Sequence, residues 1–447
     1  MGLIQIIFSK LQTYRSLPQF FDLGFRFLLV ILPFHVIMTV FFQEKIGIHN
    51  FTFYKELILL GLGIILCIQI FRKKIVLRFE RIDWLLMAYF AWMILVTLFH
   101  PEPIAHLLYG GRYDFEFFLA FLLIRHGISM LSLRPMQYLR MFIISASAAL
   151  AIGILVRWVF GETILLHFGF SGNLSNWMFG GSIPIYHGID QANVRRFQGI
   201  FDGPNPAGFF IILYFGVMAT YFQSAKKYHF LLGLWGIILV GVLIYTYSRS
   251  ALLGFAAGMG VVILYFLPTI WKKHKSIMFW SIPFLMLFLG MFFLKFEATL
   301  TKIVMREGST KGHFERAVTG IERAKMKPLG SGLASAGPAY RFVHQPEPNE
   351  SLFEGENKTE EDYYIPESWF IQQLVEGGLI GFALFLAIMG TLALQLLKKN
   401  IFLFGSFIGM NMMNLVLHSY ESSYISLLLF MMLALILYYD SSRVRQR

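Results

Sequence analysis

Cysteine is nearly missing from this chain: Cys67 is the only one in 447 residues, and it lies inside an apolar run. That excludes a disulfide framework and a thiolate metal site. Charge is scarce too, at 14% of residues against 57% hydrophobic, more apolar surface than a soluble domain can hide. Missing as well are a Gly-rich nucleotide loop, a metal-ligating triad and a nucleophile elbow. Histidines are scattered singly, so no bound metal is expected. No tandem repeat or low-complexity tract stands out, and a cleavable leader is not expected.

What the chain has in abundance is long apolar runs. Runs of about 18 or more apolar residues read as spanning helices, and most of these lack the alternation of outer-membrane strands. They predict an all-α polytopic membrane protein with about twelve transmembrane helices. The spans fall at 20–42, 52–71, 83–100, 114–131, 138–160, 206–224, 229–247, 251–269, 276–296, 368–396, 400–417 and 423–440. The fourth is interrupted by Arg125 and His126. Ile4, Ile7, Phe8 and Leu11 recur at helical spacing and predict an interfacial amphipathic helix over 1–16. Residues 17–296 then hold nine helices with an ordered outer loop at 161–205. Residues 297–367 form an extracytoplasmic loop subdomain between helices nine and ten, 368–440 carry the last three helices, and 441–447 are a basic tail.

The net charge is +12, gathered in short clusters beside apolar runs: Arg72, Lys73 and Lys74; Lys226 and Lys227; Lys272 and Lys273; Lys398 and Lys399; and the tail. Such clusters suit anionic lipid headgroups rather than nucleic acid. Cytoplasmic loops carry the Lys and Arg excess, and twelve spans put every cluster and both termini on that side. Lysine is almost absent from the opposite gaps up to residue 297. The basic residues there are arginines: Arg112, Arg195, Arg196 and Arg249.

These arginines need a reason other than orientation. Arg195 and Arg196 open Arg196-Phe-Gln-Gly-Ile-Phe-Asp-Gly-Pro-Asn205, directly before a span, and Arg249 sits in the short link Tyr247-Ser248-Arg249-Ser250. The planar guanidinium fork matches phosphate oxygens in pairs, which suits a lipid-linked pyrophosphate; snorkelling to headgroups is the alternative. His313, Glu315 and Arg316 begin a loop helix that Pro328 ends, with Gly330-Ser331-Gly332 as a turn. Arg316 offers a third donor, while His313 and Glu315 also read as solvated loop residues. Glu367, at the entrance of a span, suits a general base, or equally a first-turn acid favoured by the helix dipole. Glu376 lies deeper, beside a Gly pair, where a carboxylate should be paired or functional. Glu421, in His418-Ser419-Tyr420-Glu421, caps the last outer loop and is placed to meet the same cavity.

In this order these residues resemble the O-antigen ligase/polymerase superfamily of bacterial envelope glycosyltransferases. The resemblance rests on the Arg196–Asn205 turn, Tyr247-Ser-Arg249, Arg316 leading to Pro328-Leu-Gly-Ser-Gly332, and Glu367-Ser-Trp through Glu376-Gly-Gly, over roughly 195–425. It implies a GT-C-like fold in the bacterial cytoplasmic membrane with its site on the extracytoplasmic face. It also implies an undecaprenyl-pyrophosphate-linked oligosaccharide donor, an acceptor glycan, no cofactor or metal, and flippase and chain-length-regulator partners. Arg196, Arg249 and Arg316, with Arg195, Asn205, Glu376 and Glu421, would bind pyrophosphate and glycan, and Glu367 or His313 would act as base. Ligases of the family usually carry a His-Asn pair where this chain has Glu367-Ser368, and His344 is out of register, so a repeat-unit polymerase is favoured over a ligase. A protein oligosaccharyltransferase stays open. A transporter of lipid-linked sugar would show paired broken helices and midplane polar residues, whereas here the unusual residues crowd one surface.

Overall fold

A computed structural model describes residues 17–172, 182–185, 187–189, 194–223, 226–269, 271–272, 307–343 and 365–443. The interfacial helix at 1–16, the span at 276–296 and the acidic stretch within 344–364 lie outside the described residues. Seven helices there are long and apolar enough to cross a membrane: α1 (Leu17–Glu44), α2 (Phe51–Phe71), α3 (Arg81–Leu98), α6 (Pro135–Phe160), α7 (Pro204–Phe222), α9 (Arg249–Thr269) and α11 (Trp369–Lys399). The short helices α4 (Pro103–Asp114) and α5 (Glu116–Gly127) and the longer, polar α10 (Glu307–Met326) lie between them. Three further apolar helices occur among the described residues: α8 (His229–Tyr245), α12 (Ile401–Asn414) and α13 (Ser423–Arg443). At 17 and 14 residues, α8 and α12 are about 25 and 21 Å long, short of the roughly 30 Å hydrocarbon core. The strand content among the described residues is a pair of two-residue strands, β1 (Gly188–Ile189) and β2 (Val194–Arg195), in antiparallel register. The chain is thus an all-α, multi-pass membrane protein.

The expected span at 114–131 takes a different form. The chain breaks at Phe115 between α4 and α5, and α5 is a 12-residue helix buried on nearly every side, packed against α13. Its charges are matched by partners far away in sequence. Glu116 takes both oxygens to Lys55 Nζ at 2.8 Å, and Lys55 is fully buried. Arg125 meets Asp83 at 2.8 Å and covers the Tyr438 ring at 4.3 Å. A helix that is apolar all round with its charges paired belongs in a core.

Helix α11 is broken, and the break explains a loop motif. Gly378 takes φ +61° inside it, so carbonyl and amide groups around the kink lose their helical partners. Pro328–Gly332 supplies replacements. Ser331 N–H donates to Val375 O, Gly332 N–H to Glu376 O, and Leu379 N–H to Pro328 O, each at 2.9 Å. Trp92 Nε1 donates to Gly377 O at 2.7 Å. Buried backbone groups in a membrane must be paired, and this turn pairs them.

Candidate functional site

Helices α7, α9, α11 and α13 begin close together and run towards basic clusters at their far ends. Two adjoining cavities open among these N-termini. The larger, about 600 Å³, is lined by Arg196, Asp202, Asn205, Arg316, Glu367 and Glu421, with Tyr113, His187 and His418 on its walls. The smaller, about 390 Å³, is lined by Arg196, Asn205, Tyr247, Arg249, Ser250 and His313. Arg196, Asn205 and Leu417 face both, so they form the partition. N–H groups and the positive ends of helix dipoles point into such a place, which favours an anion even before side chains are counted.

The turn carrying Arg196 is built by its own sequence. Phe197 N–H donates to Tyr245 O at 2.7 Å, which docks the turn on the end of α8. Gln198 Nε2 donates to Pro184 O and Phe201 O, both at 3.0 Å. Gly199, at φ +62°, lies against Gly153 of α6, where a Cβ would sit 3.2 Å from the Gly153 Cα. Arg196 is aimed by Nε on Thr246 O at 2.9 Å and by a second nitrogen on Asn205 Oδ1 at 2.8 Å. Arg249 occupies the first turn of α9, capped by Ser248, whose Oγ accepts from Ala251 N–H at 3.3 Å. Tyr247 before it has φ +48°. Left-handed backbone at a non-glycine residue is strain that tends to collect at functional sites, and Glu367, at φ +53°, is another case on the same cavities.

His313 and Arg316 lie one turn apart on α10 and meet Glu367 together. His313 Nδ1 is 2.9 Å from one carboxylate oxygen, and Arg316 binds the other. Burial works to raise the Glu367 pKa, but the hydrogen bond and charge of His313, then His418 and Arg316, outweigh it and hold the group at about 2. A depressed carboxylate stabilises the fold above its unfolded value and loses that contribution as pH falls through the folded one. The Glu367→Gln variant should therefore match the wild type in thermal midpoint near pH 2 and fall below it above pH 4.5; equal midpoints throughout would remove the pairing.

Other candidate residues lie elsewhere. Arg195 is exposed on β2 and points to Glu162 at 3.7 Å, lining neither cavity. Arg112 joins the Lys55 group, with Nε on Glu56 Oε1 at 2.6 Å. Glu376 is fully buried and lines neither cavity, within reach of Asp114, which accepts from Gln373 Nε2 at 2.9 Å. Glu421 does line the larger cavity and accepts from Gln372 Nε2 at 2.6 Å. Glu315 is exposed. Asp202, Tyr113, His187 and His418 line the cavity without having been singled out from sequence. Asp202 sits inside the Arg196–Asn205 motif, and that was the only local signal for it. No group of three or more His, Cys, Asp or Glu suited to a metal occurs among the described residues.

No curated protein and no solved structure matches the chain. A family model described as O-antigen ligase matches residues 234–386. The match takes in Arg249, His313, Arg316, Pro328–Gly332, Glu367 and Glu376, but not Arg196, Asp202, Asn205 or Glu421. Over 234–386 this multi-pass membrane chain is thus similar to the O-antigen ligase family, a likeness that supports the O-antigen ligase/polymerase superfamily of polysaccharide ligases and polymerases.

Proposed function

We propose that the protein transfers a glycan from an undecaprenyl-pyrophosphate-linked donor to an acceptor sugar and acts as a repeat-unit polymerase. The observation that carries this reading is that Arg196 and Arg249 share the wall of one cavity at converging helix N-termini. Their guanidinium groups and the first-turn N–H groups of α9 neutralise charge on the pyrophosphate as the bond to the sugar breaks, a preorganised electrostatic role. Glu367, held anionic by its partners, orients His313 rather than taking the proton itself, and the imidazole faces the Arg249 cavity. The acceptor hydroxyl gives its proton to His313, and its oxygen bonds to the anomeric carbon. The electron pair of the broken C–O bond leaves on the pyrophosphate.

In this reading the protein lies in a bacterial cytoplasmic membrane with about twelve spans, both termini cytoplasmic and the cavities on the extracytoplasmic face. Neither cofactor nor metal takes part. A flippase and a chain-length regulator are its expected neighbours. A ligase delivering glycan to a separate acceptor is the second reading, favoured by the description of the matching family. Incubating the purified protein with the lipid-linked oligosaccharide alone separates them. Longer lipid-linked products identify a polymerase, and turnover only after a second acceptor is added identifies a ligase. No turnover in either case overturns glycosyl transfer.

A further inference from the structure

The two cavities differ in chemistry. The smaller has cationic and hydroxyl groups, Arg196, Arg249, Tyr247 and Ser250, with His313 at its edge. The larger adds three carboxylates, Asp202, Glu367 and Glu421. Two of these are already engaged. Glu367 is bound by His313 and Arg316. Glu421 gives Oε1 to Gln372, and its Oε2 is sealed from solvent. Asp202 differs. It remains partly exposed on the cavity wall, and Tyr424 OH holds its Oδ1 at 2.9 Å. The Tyr424 ring is in turn stacked on His35, with centroids 5.2 Å apart. A carboxylate fixed through one oxygen can present the other to a ligand, and ionised carboxylates are acceptors only. Beside it, His187 Nε2 is buried with no hydrogen-bond partner among the described residues, and that nitrogen is 3.8 Å from where a Gly203 Cβ would sit. Burial and the charge of Arg196 push His187 down to about 4, so it is neutral and can donate or accept. An unpaired polar atom on a cavity wall is costly unless a ligand satisfies it.

We propose that Asp202, oriented by Tyr424, anchors the acceptor glycan in the larger cavity by accepting hydrogen bonds from its hydroxyls, while the donor pyrophosphate occupies the smaller cavity across the Arg196–Asn205 partition. The assignment rests on the glycosyl-transfer reading and names the acceptor side of that site. Burial pushes the Asp202 acid up to about 6 against the hydrogen bonds from Tyr424 and its own backbone N–H. Tyr424 contacts it from α13, and the ionisable groups lining the same cavity are Arg196 from its own turn, His187 from the preceding loop, His418 and Glu421 from the loop before α13, Tyr113 from α4, Arg316 from α10 and Glu367 before α11. Acceptor binding therefore weakens as pH drops through about 6. Tyr424→Phe moves that midpoint upward, since the lost bond favoured the charged form.

The test uses the full chain in nanodiscs and two probes. One is undecaprenyl pyrophosphate; the other is the oligosaccharide that accumulates on lipid in cells lacking this chain, released by mild acid. Asp202→Asn should weaken oligosaccharide binding about tenfold or more and leave undecaprenyl pyrophosphate binding within about twofold. Arg249→Ala should do the reverse. Equal weakening of both probes by Asp202→Asn, or an oligosaccharide midpoint that Tyr424→Phe leaves in place, overturns the assignment of Asp202. Absence of undecaprenyl pyrophosphate binding in the wild type overturns the glycosyl-transfer reading itself.

Discussion

Arg249→Lys should lower kcat by about two to three orders of magnitude, the range for removing one preorganised donor from a site of developing negative charge. Lysine keeps the charge and loses the fork. Arg249 is the better test because Arg196 also holds its turn together, through Thr246 O and Asn205 Oδ1, so that replacing Arg196 mixes chemistry with folding. The Arg249 side chain rises from the capped first turn of α9, which a lysine tolerates. The measurement is single-turnover transfer from the lipid-linked donor, with the thermal midpoint as control. A variant with wild-type rate would show that a point charge suffices, and the pyrophosphate role of Arg249 would be lost.

Gly330→Ala should prevent assembly. Gly330 has φ +103°, and an added Cβ would lie 2.4 Å from Glu376 O and 2.7 Å from Gly377 C and Gly378 N. All three are backbone atoms of the broken segment of α11, so no side chain can swing away. Left-handed strain adds about 1–3 kcal/mol and overpacking a similar amount, a large share of a stability of about 5–15 kcal/mol. Fluorescence-detected size-exclusion chromatography in mild detergent should show no monodisperse peak. Gly260→Ala is the control, since nothing lies within 4 Å of its added Cβ, and it should elute like the wild type. A monodisperse Gly330→Ala protein would mean that the Pro328–Gly332 turn can leave the kink.

Hydropathy made the long helices legible, because each apolar run reports its own transfer free energy with no reference to the rest of the chain. The cationic wall was legible for a related reason: an arginine on the lysine-poor side stands out locally. What stayed hidden is pairing. Residues 114–131 read as a span because nothing near Glu116 announces Lys55, which lies 61 residues away. Arg195 and Arg196 are neighbours in sequence, yet only the structure sends one to Glu162 and the other to the cavity. The Pro328–Gly332 motif reads as a turn, while its task of pairing a kinked helix depends on Gly378, well beyond it. Asp202 is separated from Tyr424 by 222 residues, so no local pattern distinguishes it from an ordinary turn aspartate.

Tyr113, on the wall of the larger cavity, stands between two tied neighbours. Arg112 is bound to Glu56 on α2 and Asp114 to Gln373 on α11. Asp114 thus ties α4 to the late helix α11, while Arg112 ties it to the early helix α2. Residues 234–386 therefore do not form a self-contained unit. Any excised version would lose the Arg196 partition and the Tyr113 wall, and the joint that holds Tyr113 in place would be cut on one side.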